Sequence, residues 1–245
     1  MLAFGALLLA ADSSTGEIVK EQFQSGGKKR ICHVLTPNGI TAAEPAPLLL
    51  VLHGSGQNGR ELVDRWDDLA REQRFIVAGP DALSSKHWQP AHDGPDFLRE
   101  VVEAVASRHP VNRRRVYLFG YSGGGHFALQ MAVTESEYFA GAAVYAGALQ
   151  GNLTNLVTFA RRKIPITLFA GSADEVVPAA AVRRTWQVLQ QAGLPTEFQA
   201  MPNWNHDYTR FNYHGMQRRI WEFLRVHELP GPPVFQHYEV SKPSR

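Results

Sequence analysis

The sequence predicts an α/β protein with a mostly parallel central sheet, helices on both faces and an antiparallel hairpin at the N-terminal edge. Three observations predict it. From Pro47 onward, continuous apolar runs such as Leu48-Leu49-Leu50-Val51-Leu52 alternate with stretches of helical spacing, and only a strand covered on both faces needs an uninterrupted apolar run. Before them, two strand-like segments flank Ser25-Gly26-Gly27, a hairpin signal. The chain has 245 residues and 44% apolar content, enough for one large core.

The elements follow in order. Glu17 to Gln24 and Arg30 to Leu35 form the hairpin, and Pro47 introduces the strand Leu48 to Leu52. Arg60 to Glu72 has helical spacing through Leu62, Val63, Trp66 and Leu69, and the strand from Phe75 stops at Gly79-Pro80. Asp96 to Ser107 reads as a helix, Val116 to Phe119 as a strand, His126 to Val133 as a helix and Ala140 to Tyr145 as a strand. Ile164 to Ala170 is a strand, Ala179 to Gln191 a helix, Thr196 to Met201 a strand and Met216 to Val226 the last helix. Domain organisation is then an apolar segment or signal over 1–14, one catalytic domain over 15–228 and a Pro-rich tail over 229–245. Pro230, Pro232, Pro233 and Pro243 forbid helix in the tail, which is expected to run over the surface.

Composition removes several function classes. A net charge of +2 gives no electrostatic footprint for nucleic acid, and the clusters Lys28-Lys29-Arg30 and Arg113-Arg114-Arg115 read as solvated turns before strands. The single cysteine, Cys32, excludes an intrachain disulfide and reads as a small buried hydrophobe. Leu2 to Ala11 has the apolar core of a secretory signal without its basic start, and is too short to span a bilayer. Secretion or a periplasmic location is the expectation, with a frayed cytoplasmic N-terminus as the alternative. No His, Cys or Asp set has ligand spacing, so neither metal nor organic cofactor is expected.

Gly120-Tyr121-Ser122-Gly123-Gly124 lies between a strand and a helix, the setting in which G-x-S-x-G exposes a nucleophile. The pentapeptide alone is a weak signal, because a plain strand-to-helix turn has the same composition. Three further motifs stand at strand ends, where open α/β sheets carry their chemistry. His53-Gly54-Ser55-Gly56-Gln57 is a glycine-rich turn whose backbone can supply one oxyanion donor, assigned to Ser55 with Gly56 as alternative, while the Gly123 amide supplies the other. His53, inside the turn, reads as structural. Asp174 follows a strand and a glycine and can orient a base, whereas Glu175 borders the next helix. Among ten histidines, His206 follows both the last strand and the acid, giving the order Ser122, Asp174, His206; His214 is the runner-up.

With these residues the sequence resembles the α/β-hydrolase superfamily, and within it the esterases that include polyhydroxybutyrate depolymerase-like proteins, feruloyl esterases and acetylxylan esterases. The resemblance is carried by Leu52 to Gln57, Trp88, Asp96-Phe97-Leu98, Arg115 to Gly124, Phe139-Ala140-Gly141, Asp174 with Val177-Pro178, and His206. It implies the α/β-hydrolase fold and a serine esterase with a Ser122-His206-Asp174 triad, acting without cofactor on a small-molecule or oligomeric ester. A monomer or small homo-oligomer, without nucleic acid or stable membrane insertion, is the implied state. The loop Asp81 to Pro95 would select the substrate, with Trp88 as a platform for an aromatic acyl group or sugar ring and Tyr121 and Trp204 walling the same pocket. The chain departs from the pattern at Gly123, where many relatives carry asparagine, and at Ser55, where cysteine is frequent; backbone amides perform the oxyanion work at both. A peptidase, lipase or thioesterase of the same fold and a non-catalytic ligand-binding homologue are the alternatives.

Overall fold

A computed structural model describes residues 16–149 and 151–236; the expected signal segment over 1–14 lies outside them. Among these residues eight strands form one sheet: β1 (Ile18–Ser25), β2 (Lys28–Leu35), β3 (Ala46–Leu52), β4 (Ile76–Pro80), β5 (Val111–Tyr121), β6 (Gly141–Tyr145), β7 (Ile166–Gly171) and β8 (Thr196–Met201). Their order across the sheet is β1-β2-β4-β3-β5-β6-β7-β8. Only β2 runs against its neighbours; the other pairings are parallel. The hairpin turn is Gly26-Gly27, at φ 54° and 73°, the positive φ at both central positions that a tight two-residue turn needs. Cys32 in β2 is 1% exposed, and burial pushes its thiol well up.

Among the described residues six α-helices cover the sheet: α1 (Gly59–Gln73), α2 (Pro90–Asp93), α3 (Pro95–Ala106), α4 (Gly123–Thr134), α5 (Ala179–Gln191) and α6 (Tyr213–Leu224). The Asn58 side chain caps α1 by accepting from the Glu61 N–H, and Arg74 ends it in the left-handed region at φ 56°. Its buried face is Leu62, Val63, Trp66, Leu69 and Ala70, with Trp66 edge-on to Phe75 and Phe119. Helix α4 is buried on nearly every side and packs against both β5 and a 3₁₀ segment, Gly151–Phe159. It starts at Gly123, three residues before the apolar spacing suggests, because the first turn is built from glycines that carry no periodicity.

The chain turns back between β3 and β5. From β3 it steps outward to β4, then returns by way of α3 to the other side of β3 as β5. This is the topological switch point, where the loops at the strands' carboxyl ends diverge and open a crevice. Two sequence readings are corrected here. Arg30 is not a solvated turn residue: it lies inside β2, 3% exposed, paired with the fully buried Asp93, because strand alternation turns it inward. Arg113-Arg114-Arg115 is not a turn before a strand but part of β5. The described tail runs along the surface and is anchored at Leu229. Leu229 is 1% exposed, its N–H donates to the Arg114 carbonyl, and Val234 N–H donates to Glu137 O, so the described part of the tail is strapped to the domain without being helical.

Candidate active site

Ser122 sits between β5 and α4 at φ 53°, ψ −117°, a conformation that costs a non-glycine residue of the order of ~1–3 kcal/mol. The flanking glycines do not share that conformation; they provide close approach. A Cβ on Gly120 would stand 2.3 Å from the Gly124 carbonyl oxygen, and one on Gly124 would stand 2.0 Å from that of Leu52. The turn is therefore tight because two backbones touch where side chains are missing, and the serine takes the strained dihedral.

His206 and Asp174 meet this serine from the ends of β8 and β7. The Ser122 hydroxyl donates to His206 Nε2 at 2.8 Å, while His206 Nδ1–H donates to Asp174 Oδ2 at 2.9 Å. A proton on Nδ1, held by the carboxylate, leaves Nε2 as the bare nitrogen facing the hydroxyl. Asp174 is itself fixed, its Oδ1 accepting from Val176 N–H at 2.9 Å and Val177 N–H at 2.8 Å. Its side chain has no exposed surface, and that of His206 is 22% exposed. Glu175 points to solvent, and His214 lies exposed on α6 against Tyr213.

The turn after β3 brings its amides to the same place. Gly54 N–H donates to Gln57 Oε1, Gln57 N–H to Gly54 O, and Gly56 N–H to Ser85 O at 2.6 Å. Gly56 is thereby occupied, and Ser55 is left as the amide of the turn that faces the Ser122 loop: a Cβ on Gly123 would stand 3.5 Å from Ser55 N and 2.8 Å from Ser55 Oγ. The Gly123 N–H is the first of α4, which has no intrahelical acceptor. His53 is buried at 3% exposure, with Nδ1 at Gly54 O and Nε2 accepting from Ala82 N–H, and burial pushes its imidazole below the usual histidine range. It holds the turn as a neutral ring.

Beside Gly123 opens a groove of about 230 Å³ lined by His87, Trp88, Pro90, His126, Phe127 and Gln130. Trp88 stacks on Phe127 at 4.9 Å and 8° and donates its indole N–H to His53 O at 2.8 Å. Tyr121 and Trp204 are not among its walls. Both hold the His206 loop instead, since the Tyr121 hydroxyl donates to His206 O at 3.0 Å and Trp204 O accepts from Ala173 N–H. Tyr145 adds a third tether, its hydroxyl donating to Asn205 O at 2.7 Å. Sequence reasoning missed Phe127 and Gln130, whose spacing on α4 reads as ordinary helix. A larger groove, about 770 Å³ between the β7–β8 edge and α6, contains none of these residues. Among the described residues no cluster of His, Cys, Asp or Glu could hold a metal ion, and no helix is long and apolar enough to cross a membrane.

Residues 76–217, more than half of the chain, match the dienelactone hydrolase family. The chain belongs to that family. A poly(3-hydroxyoctanoate) depolymerase of Pseudomonas fluorescens is 30% identical over 214 residues, 74% of this chain and 75% of the relative. A bifunctional acetylxylan esterase/xylanase of Neocallimastix patriciarum is 28% identical over 156 residues, 62% of this chain and 22% of that one. Several such relatives are longer, and the chain spans less than half the length of the first curated ones it matches. Among solved structures, a fluorophosphonate-binding serine hydrolase of Staphylococcus aureus superposes with a TM-score of 0.72 at 18% identity, covering 85% of this chain and 98% of its own. A family member thus has the α/β-hydrolase fold, as the sheet order above describes.

Proposed function

We propose that this member of the dienelactone hydrolase family is a serine esterase that hydrolyses carboxylic esters through an acyl-enzyme. The observation that carries the reading is the hydrogen-bonded chain Ser122 Oγ, His206 Nε2, His206 Nδ1, Asp174 Oδ2, closed at 2.8 and 2.9 Å. The Ser122 oxygen attacks the ester carbonyl carbon as its proton passes to His206 Nε2, and Asp174 stabilises the imidazolium that forms. Negative charge gathers on the carbonyl oxygen, which the Ser55 and Gly123 N–H groups receive. When the intermediate collapses, the acyl–alcohol C–O bond breaks and His206 returns its proton to the leaving alkoxide. Water then attacks the acyl-serine by the same route, releasing the acid and restoring Ser122.

The groove beside Gly123 is where the acyl group would lie. Its volume suits a short or single-ring acyl chain, and the Trp88–Phe127 pair offers a flat apolar wall. Feruloyl, acetyl-xylan and short hydroxyalkanoate esters are the candidate substrates, in keeping with relatives named as an acetylxylan esterase and as a depolymerase. A fluorophosphonate probe should label the protein, and Ser122→Ala should abolish both labelling and hydrolysis of p-nitrophenyl acetate. Labelling of the Ser122→Ala variant, or no turnover of any short ester by the native protein, would sink the proposal. A panel of methyl ferulate, acetylated xylan and a hydroxybutyrate oligomer separates the candidates.

A further inference from the structure

Asp93 has no exposed surface, yet three donors converge on it. Its Oδ1 accepts from Arg30 Nη2 at 2.5 Å and from Leu83 N–H at 3.0 Å, while Oδ2 accepts from Gln89 N–H at 2.8 Å. One carboxylate therefore closes both ends of the segment 83–89, which includes Ser85 and Trp88. Arg30 braces the same loop from β2, donating to the carbonyls of Asp81 and His92, each at 3.1 Å, with its guanidinium 3.5 Å from the centre of the Phe97 ring. A buried arginine–carboxylate pair contributes little net stability compared with an apolar pair of the same shape. Its presence here calls for a role in geometry.

That geometry leads to the oxyanion turn. The loop held by Asp93 meets residues 53–57 at three points: Ala82 N–H to His53 Nε2 at 3.1 Å, Trp88 Nε1–H to His53 O at 2.8 Å, and Gly56 N–H to Ser85 O at 2.6 Å. We infer that Arg30 and Asp93, neither of which reaches the site, are positioning residues that set the Ser55 amide by fixing the loop 81–93 against the turn 53–57. The kinetic half of this inference rests on the esterase reading; the mechanical half does not. Displacement of a preorganised donor by a fraction of an ångström is felt in the transition state and not in ground-state binding, so the change belongs in kcat.

The test is the double substitution Arg30→Met with Asp93→Asn, which removes both buried charges together and leaves no unpaired ion. Amide hydrogen exchange and the kcat and KM for p-nitrophenyl acetate are measured against the native protein. Exchange should rise about tenfold or more at 53–58 as well as at 81–93, and kcat should fall about tenfold or more at unchanged KM. A rise confined to 81–93, or a native kcat, overturns the inference. Should the native protein hydrolyse no ester, exchange alone decides the coupling, so the esterase reading can fail while the coupling stands. If the double variant does not fold, Trp88→Phe removes the N–H given to His53 together with part of the indole, and keeps an aromatic ring at the position that stacks on Phe127. Unchanged exchange at 53–58 in that variant overturns the inference equally.

Discussion

Ser122 is held in its strained conformation from both sides: its N–H donates to Tyr145 O at 3.1 Å and its carbonyl accepts from His126 N–H at 3.0 Å. His206 opposite it is held by Tyr121, adjacent to the serine in sequence but donating its hydroxyl to the His206 carbonyl. Burial pushes the Tyr121 phenol up to about 12, so it remains a neutral donor across any working pH. Tyr121→Phe should therefore lower kcat about fivefold, the worth of roughly 1 kcal/mol for one hydrogen bond. KM for p-nitrophenyl acetate should not move, and the ratio to the native rate should be flat from pH 6 to 9; a pH-dependent ratio would contradict the assignment. That Ser122, Asp174 and His206 would come together was legible in the sequence, because their order and their places after strands are properties of the chain itself. The contacts of Tyr121, Trp204, Arg30 and Asp93 were not, because each bonds a residue distant in sequence, and no local spacing records that partner.

Glu135 ends α4. Burial pushes its carboxyl up to about 7, with Asp96 adding to the rise and the Gln236 N–H and Arg161 opposing it. A negative charge there is also unfavourable at a helix C-terminus. In the folded chain this group keeps its proton above the range in which an unfolded glutamate loses it, so its contribution is fully present below about pH 4.5 and is lost as pH rises through about 7. Glu135→Gln should raise Tm by a few degrees at pH 8, do little at pH 4.5, and flatten the melting curve's pH dependence between them. No difference at pH 8 would show that the carboxylate is comfortable where it lies. At this scale the long helices and apolar strands could be read from periodicity. The one-turn helix α2 is too short to show a period, the 3₁₀ segment does not follow the 3.6-residue period, and the first half of β5, Val111 to Arg115, is too polar to read as strand.

Across the whole molecule, the mostly parallel sheet was visible in the sequence as apolar runs, because parallel strands are covered on both faces. The strand order was not, since pairing is decided between segments rather than within them; the reversal between β3 and β5 that opens the crevice had to come from the structure. The same architecture places the chain's one sulfhydryl, Cys32, on β2 opposite Pro80 in β4, 1% exposed and held in its unreactive protonated form by burial. Alkylation needs a thiolate that solvent can reach, so the native protein should resist iodoacetamide and become modified only when this part of the sheet comes apart. At saturating reagent the modification rate would equal the opening rate, and its rise with denaturant should coincide with loss of the near-ultraviolet signal. Faster labelling would reveal local fraying of the hairpin. A single thiol, inert while folded and free of any partner to oxidise with in the same chain, gives this protein a built-in clock for its own unfolding.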